Sequence, residues 1–202
     1  MNNIIDVQKN IVKFSTRILN SKKVFGFWLY LISDCIIFAT LFSVYIVMAT
    51  NIVDKVYRRE IFNLPIVILE SFSLLLSSFT YSFVILEIKK YKKNITIFWL
   101  FITSLLGLVF LMLEIFECNN LVGHGYSPSR NGFLSSFFTL LMVHGIHVFF
   151  AILYVIVMIV QVVKFGITYE VYMKIFCLSL FWHFLDIIWV FIFSVVYLIG
   201  EI

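Results

Sequence analysis

Charge is scarce in this sequence: only 13% of its 202 residues are Asp, Glu, Lys or Arg, where a soluble domain carries about 25%. That scarcity excludes an ordinary water-facing surface. Proline is rarer still, with Pro65 and Pro128 alone, so nothing breaks the long apolar runs from within. Three cysteines, Cys35, Cys118 and Cys177, without a CxxC pair, exclude a secreted disulfide framework and read as small apolar residues. After the first 23 residues no polar segment exceeds about 15 residues, which leaves no room for a soluble domain. The short alternating segments of a β-barrel are missing as well.

What is present is hydrophobic: 62% of the chain, with 24 Phe and a mean hydropathy of +1.06. A bilayer core about 30 Å thick needs about 20 apolar residues per helix. Five stretches qualify, near 24 to 50, 64 to 87, 95 to 116, 133 to 163 and 174 to 199. The expected fold is therefore all-α, an integral membrane bundle of five transmembrane helices spanning residues 24–202. Residues 1–23 form a tail with basic residues but no apolar h-region or cleavage site, and its Ile11, Phe14 and Ile18 are spaced for an amphipathic surface segment.

Orientation follows from Lys and Arg. The tail, the EIKKYKKN loop and the 164–174 loop carry eleven of them; the 51–63 loop and the 118–132 loop carry four. This places the N-terminus in the cytoplasm and the C-terminus in the periplasm. The net charge of +4 thus reports topology and contact with anionic lipid, not nucleic acid, since no basic face lies outside the loops.

Chemistry must be sought among ionisable groups inside the spans, because a charge at mid-bilayer costs roughly 2.5–3.5 kcal/mol even on a lenient scale. From the assigned span starts and a rise of 1.5 Å per residue, Asp34, His183 and Asp186 lie about 14–18 Å from the inner face, and His144 and His147 about 17–21 Å from the outer face. All five share one central layer. Glu70 lies nearer the outside, where Glu114 and Glu117 end the third span. The pairs His144 and His147, His183 and Asp186, and Glu114 and Glu117 are each spaced i, i+3, which puts both members on one helix face.

Three readings compete for this layer. HGIH offers two imidazoles one turn apart, but a metal site needs three or four ligands, and neither an ExxH pair nor a CxxCH haem motif occurs. Intramembrane ionisable groups also suggest a proton or substrate pathway, against which stands the lack of inverted repeats and broken helices. In the third reading they are hydrogen bonds between helices, each worth on average about 0.6 kcal/mol, that fix packing and docking. Physics favours the third. Trp182 and Trp189, at i, i+7, agree as a packing stripe, and Gly107 and Gly145 permit close helix approach.

The stretches LSLFWHFLDIIWVFIFSVVYLIG (178–200), GFLSSFFTLLMVHGIHV (132–148) and FGFWLYLISDCIIFATLF (25–42), with LPIVILESFSLLLSS and the loop SPSRNGF, resemble subunit III of the haem–copper respiratory oxidases. The likeness is greatest to the ubiquinol-oxidising, cytochrome o branch. The resemblance covers everything after the tail, and HGxHV followed by WHFxDxxW at this separation is a highly specific combination. The cytochrome c branch commonly has seven helices, of which the first two have no counterpart here.

The resemblance implies a non-catalytic subunit of a proton-pumping ubiquinol:oxygen oxidoreductase of the aerobic respiratory chain, multi-pass in a bacterial inner membrane. Haem and copper are then expected in subunit I and no redox centre in this chain. Subunit I would be the main partner, stabilised and sustained in proton uptake by this chain, with subunits II and IV further partners. Ubiquinol would bind the complex and not this chain, and phospholipid is expected on the side where two helices are absent. A cytochrome c or menaquinol oxidase subunit III, and an independent transporter, are the alternatives. The resemblance also implies that His183 and Asp186 hold the bundle together, that Asp34 stands where the cytochrome c branch usually has Glu, and that Asp34 pairs with His147.

The charge asymmetry makes a first prediction: a reporter fused to the C-terminus should be active only outside the cytoplasm. Cytoplasmic activity would overturn the five-span count or the orientation.

Overall fold

The computed structural model describes residues 2–50, 64–129 and 131–198. These residues form five long helices: α1 (Asn2–Thr50), α2 (Leu64–Lys89), α3 (Lys93–Gly123), α4 (Gly132–Phe165) and α5 (Tyr169–Ile192), with a π-helical turn Phe193–Leu198 continuing α5. There is no strand among the described residues. Segments long and apolar enough to cross a bilayer run over Val24–Thr50, Pro65–Lys89, Lys93–Gly123, Gly132–Phe165 and Tyr169–Tyr197. Two limits differ from the hydropathy reading. The third helix does not stop near 116, because Glu117, Cys118 and Leu121 are buried and carry the helix past the last apolar run. The fifth starts at Tyr169 instead of 174, capped by Thr168, whose Oγ1 accepts the Val171 N–H at 3.4 Å.

Local chemistry sets the other ends. Pro65 sits in the first turn of α2, where its missing N–H leaves no hydrogen bond unmade. Beyond Lys89 the chain turns back through Tyr91 at φ 56°, while the N–H groups of Lys90 and Lys92 return to the Glu87 carbonyl. α4 ends at Gly166, whose φ of +70° suits a residue without Cβ and whose N–H donates to the Val162 carbonyl at 3.1 Å. The Lys93 ammonium donates to the Val163 carbonyl at 2.9 Å, satisfying an acceptor that the end of α4 leaves open.

The chain divides into two compact units, residues 1–36 and 37–202. In the second, α2 packs on α3, α3 on α4, α4 on α5, and α5 returns to α2, closing a ring of four helices. Residues 37–50 of α1 join it through ring contacts: Phe38 with His147 at 5.3 Å, Tyr45 with Phe133 at 5.4 Å and Phe42 with Phe191 at 6.4 Å. The interior is aromatic. Trp182 stacks on Tyr81 at 6.0 Å, and the edge of Trp189 meets Phe110 at 4.7 Å.

Close packing of α3 depends on Gly107. A Cβ there would stand 3.0 Å from the Trp182 ring and 3.2 Å from Ile152. Trp182 is buried and tied by its indole N–H, so it cannot swing aside cheaply. Gly107→Val should therefore lower the melting temperature of the detergent-solubilised protein, at a cost of about 1–3 kcal/mol for overpacking. Thermal unfolding unchanged by that substitution would show that the helices separate there without penalty.

Candidate functional site

Inside a bilayer every polar hydrogen must find its acceptor within protein. The face of α2 that meets α5 is built for this, with Ser71, Ser77, Ser78 and Tyr81. The Trp189 indole N–H donates to Ser71 Oγ at 3.0 Å and the Trp182 indole N–H to Ser77 Oγ at 3.0 Å. Tyr81 donates its hydroxyl to the Ile175 carbonyl at 3.2 Å. The serines can accept because their own protons are already placed: Ser71 donates to the Val67 carbonyl at 2.9 Å and Ser77 to the Leu74 carbonyl at 2.7 Å. On the opposite side α2 reaches α3 through Thr80 and Thr103, whose hydroxyls lie 2.9 Å apart.

His183 and Asp186 share this α2–α5 seam. Ser78 Oγ is 2.7 Å from His183 Nδ1, one of the two donating to the other. The Asp186 carboxyl lies beside them, with its Oδ1 buried and without a hydrogen-bond partner among the described residues. Both residues are half-buried, unlike the tryptophans beside them.

The histidines of HGIH take different surroundings. His144 is fully buried, and both ring nitrogens lack a hydrogen-bond partner among the described residues. Aromatic rings enclose it instead: Trp189 at 5.4 Å, Phe110 at 5.8 Å and Phe38 at 6.3 Å. His147 donates Nδ1–H to the Val143 carbonyl at 2.6 Å, one turn back. Asp34 belongs to the first unit, where Tyr30, one turn earlier, hydrogen-bonds its carboxyl.

Glu70, Glu114 and Glu117 gather on α2 and α3, each at most 5% exposed, with Cys118 beside them. The π-helical turn after α5 points Tyr197 at Glu117, to which its hydroxyl donates at 3.1 Å. Both Glu70 carboxyl oxygens lack a partner among the described residues. Glu114 presses on α4 at Gly145, where a Cβ would stand 2.7 Å from both carboxyl oxygens. Among the described residues the one ion pair, Lys90 with Glu87, lies elsewhere, so charge on these three carboxyls would be uncompensated.

Of the five residues expected in one central layer, the second unit holds His183 and Asp186 beside Ser78, His144 among aromatic rings and His147 bonded to its own helix, while Asp34, in the first unit, is met by Tyr30. No three His, Cys, Asp or Glu side chains among the described residues are arranged to hold a metal ion. The sequence reading missed Ser71, Ser77, Ser78, Tyr197 and Tyr30. The hydroxyl spacing in SFSLLLSSFTYS was the available signal for the serines.

Such an architecture, several membrane-crossing helices joined by buried polar pairs, defines a polytopic helical membrane protein. The family model described as Cytochrome c oxidase subunit III matches residues 6–201, and the chain belongs to that family. It is 50% identical over 194 residues to the Cytochrome bo(3) ubiquinol oxidase subunit 3 of Buchnera aphidicola subsp. Baizongia pistaciae, covering 96% of this chain and 100% of the relative. To the protein of the same name from Pseudomonas aeruginosa it is 45% identical over 179 residues, covering 89% of this chain and 86% of the relative. The Probable quinol oxidase subunit 3 of Staphylococcus haemolyticus is 40% identical over 179 residues, covering 88% of this chain and 89% of the relative.

The contact between Glu114 and Gly145 is open to a double-mutant cycle. Gly145→Ala alone should destabilise by about 1–3 kcal/mol, since the buried carboxyl must move. In a Glu114→Ala background the same change should cost much less, because the obstructing oxygens are gone. Strict additivity of the two thermal shifts would mean that this carboxyl does not set the spacing of α3 and α4.

Proposed function

We propose that this chain is subunit III of a proton-translocating ubiquinol oxidase of the aerobic respiratory chain, seated in a bacterial inner membrane with its N-terminus cytoplasmic. The observation that carries the reading is similarity over nearly the whole chain to relatives named as ubiquinol oxidase subunit 3. In this reading the chain is non-catalytic. It packs against the haem–copper subunit I, supports its stability and sustained proton uptake, and meets subunits II and IV and phospholipid. Haem and copper reside in subunit I, where ubiquinol oxidation is completed by reduction of oxygen.

The geometry supports a structural role for the intramembrane polar groups. Ser78 bonds His183, with Asp186 beside them, and Glu117 is bonded by Tyr197. His144 is sealed among rings. Groups occupied in this way hold helices in register and are not presented to a substrate. Asp34, His144, His147, His183 and Asp186, with Glu70, Glu114 and Glu117, are accordingly assigned to packing and not to chemistry. The family description favours a second reading, in which cytochrome c is the electron donor.

Purification through an affinity tag on this chain tests both. The gently solubilised complex should contain haem and oxidise ubiquinol, whereas the chain separated from it should retain no haem. Oxidation of cytochrome c without oxidation of quinol would move the assignment to the second reading. In an assembled complex with Asp186→Asn, turnover should begin near normal and decline faster than in the parent. Immediate, complete loss of quinol oxidation would instead place the seam in the reaction.

A further inference from the structure

We propose that the outward side of the α2–α5 seam, around Ser78, His183 and Asp186, is a docking surface for a transmembrane helix of another subunit that brings a hydroxyl or carboxamide side chain to His183 Nε2. The proposal rests on the reading of the chain as one subunit of a membrane complex, and goes beyond it by naming the face and the chemistry that occupies it.

Depth is the first support. Ser78 lies in the middle of Pro65–Lys89, roughly 16–20 Å from either end at 1.5 Å per residue. Asp186 stands about 26 Å along the segment that begins at Tyr169. Lipid headgroups do not reach that level, so neither a headgroup nor bulk water is the natural partner of these side chains.

Burial is the second. Trp182 and Trp189 point into the bundle and are sealed within it, whereas His183 and Asp186 on the same helix are only half-buried. Their neighbours on the outward side are ordinary lipid-facing positions, Ile187 at 56% exposed and Phe79 at 60%. Two ionisable side chains in the midst of such a surface are expensive against hydrocarbon, and residues of this kind face protein in membrane bundles.

Hydrogen-bond accounting supplies the third. His183 Nδ1 is taken by Ser78, while Asp186 Oδ1 is buried without a partner among the described residues. Nε2 makes no bond among the described residues and is not sealed within them. Whichever way protons run along the seam, Nε2 is left as a donor or an acceptor with nothing to meet it. A hydroxyl or a carboxamide satisfies either case, because each both donates and accepts. A charged partner would add a second desolvation cost at the same depth, and an acyl chain would satisfy neither.

A photocrosslinking amino acid at position 187, one helical turn beyond His183 and already exposed, tests this in native membranes with the complete complex. Phe101, exposed on α3, serves as the control position. Crosslinking from 187 should yield an adduct with a larger membrane-spanning subunit. His183→Leu should reduce retention of this chain in the purified complex about three- to twenty-fold, whereas His183→Gln, which keeps a hydrogen-bonding group, should restore most of it. If the chain co-purifies with other subunits but position 187 crosslinks only to acyl chains or to a second copy of this chain, the docking face is wrong. Equal retention of the Leu and Gln variants would likewise overturn the role of Nε2. If the chain co-purifies with no other subunit, the oxidase-subunit reading fails first and takes this face with it.

Discussion

The structure depends on one constraint: in hydrocarbon a polar hydrogen has no solvent to fall back on, so its acceptor must be protein. α5 carries two indoles and an imidazole toward α2, and α2 carries the oxygens that receive the indole hydrogens and meet the imidazole. Ser71 and Ser77 accept from Trp189 and Trp182, and Ser78 meets His183. From Ser71 with Trp189 through Ser77 with Trp182 to Tyr81 with Ile175 the positions advance along α2 as they retreat along α5, which fixes an antiparallel register without a salt bridge among the described residues. Each bond is worth little by itself, on the order of 0.6 kcal/mol in membranes. Their joint effect is specificity, because sliding either helix by one turn would strand several donors at once.

The carboxyls show how the same constraint works where partners are fewer. Glu117 receives the hydroxyl of Tyr197 from the π-helical turn Phe193–Leu198. Glu114 lies against a glycine backbone, a site available only because residue 145 has no Cβ. These groups are accommodated by irregular geometry and a missing side chain more than by matched donors.

Much of the fold was legible in the sequence, and for a clear reason: the bilayer demands long apolar runs, and five runs emerge as five helices. Their ends were less legible. Polarity marks where a segment leaves lipid, whereas the third helix continues through Glu117 and Asn120 because its inner face still packs. Depth along each span could be counted, so Asp34, His144, His147, His183 and Asp186 could be ranked on one level. What depth cannot give is direction around the helix relative to a partner far away in sequence. His144 and Asp186 share a level and differ wholly in surroundings, one caged by rings and the other half-buried beside Ser78 and His183. Gly145 could be recognised as a point of close approach, but not that a carboxyl occupies it. The partners Ser71, Ser77 and Ser78 lie more than a hundred residues from the side chains they bind, and no local spacing announces such pairs.

The serines of α2 also bear on the order in which the chain is made. α2 leaves the ribosome about a hundred residues before α5, and through that interval its hydroxyls must reside in or beside lipid. Ser71 and Ser77 have already given their protons to carbonyls of their own helix, so neither serine strands a donor while α2 waits. On these two hydroxyls only lone pairs remain, and a lone pair tolerates delay better than an unmet proton. The indole donors belong to the helix that arrives last, and their acceptors are in place when it does. Tyr81 alone runs the other way, its hydroxyl meeting the Ile175 carbonyl only once α5 is there. For the two indole bonds synthesis and stability thus make the same demand: the waiting helix holds acceptors, and the arriving helix brings the hydrogens.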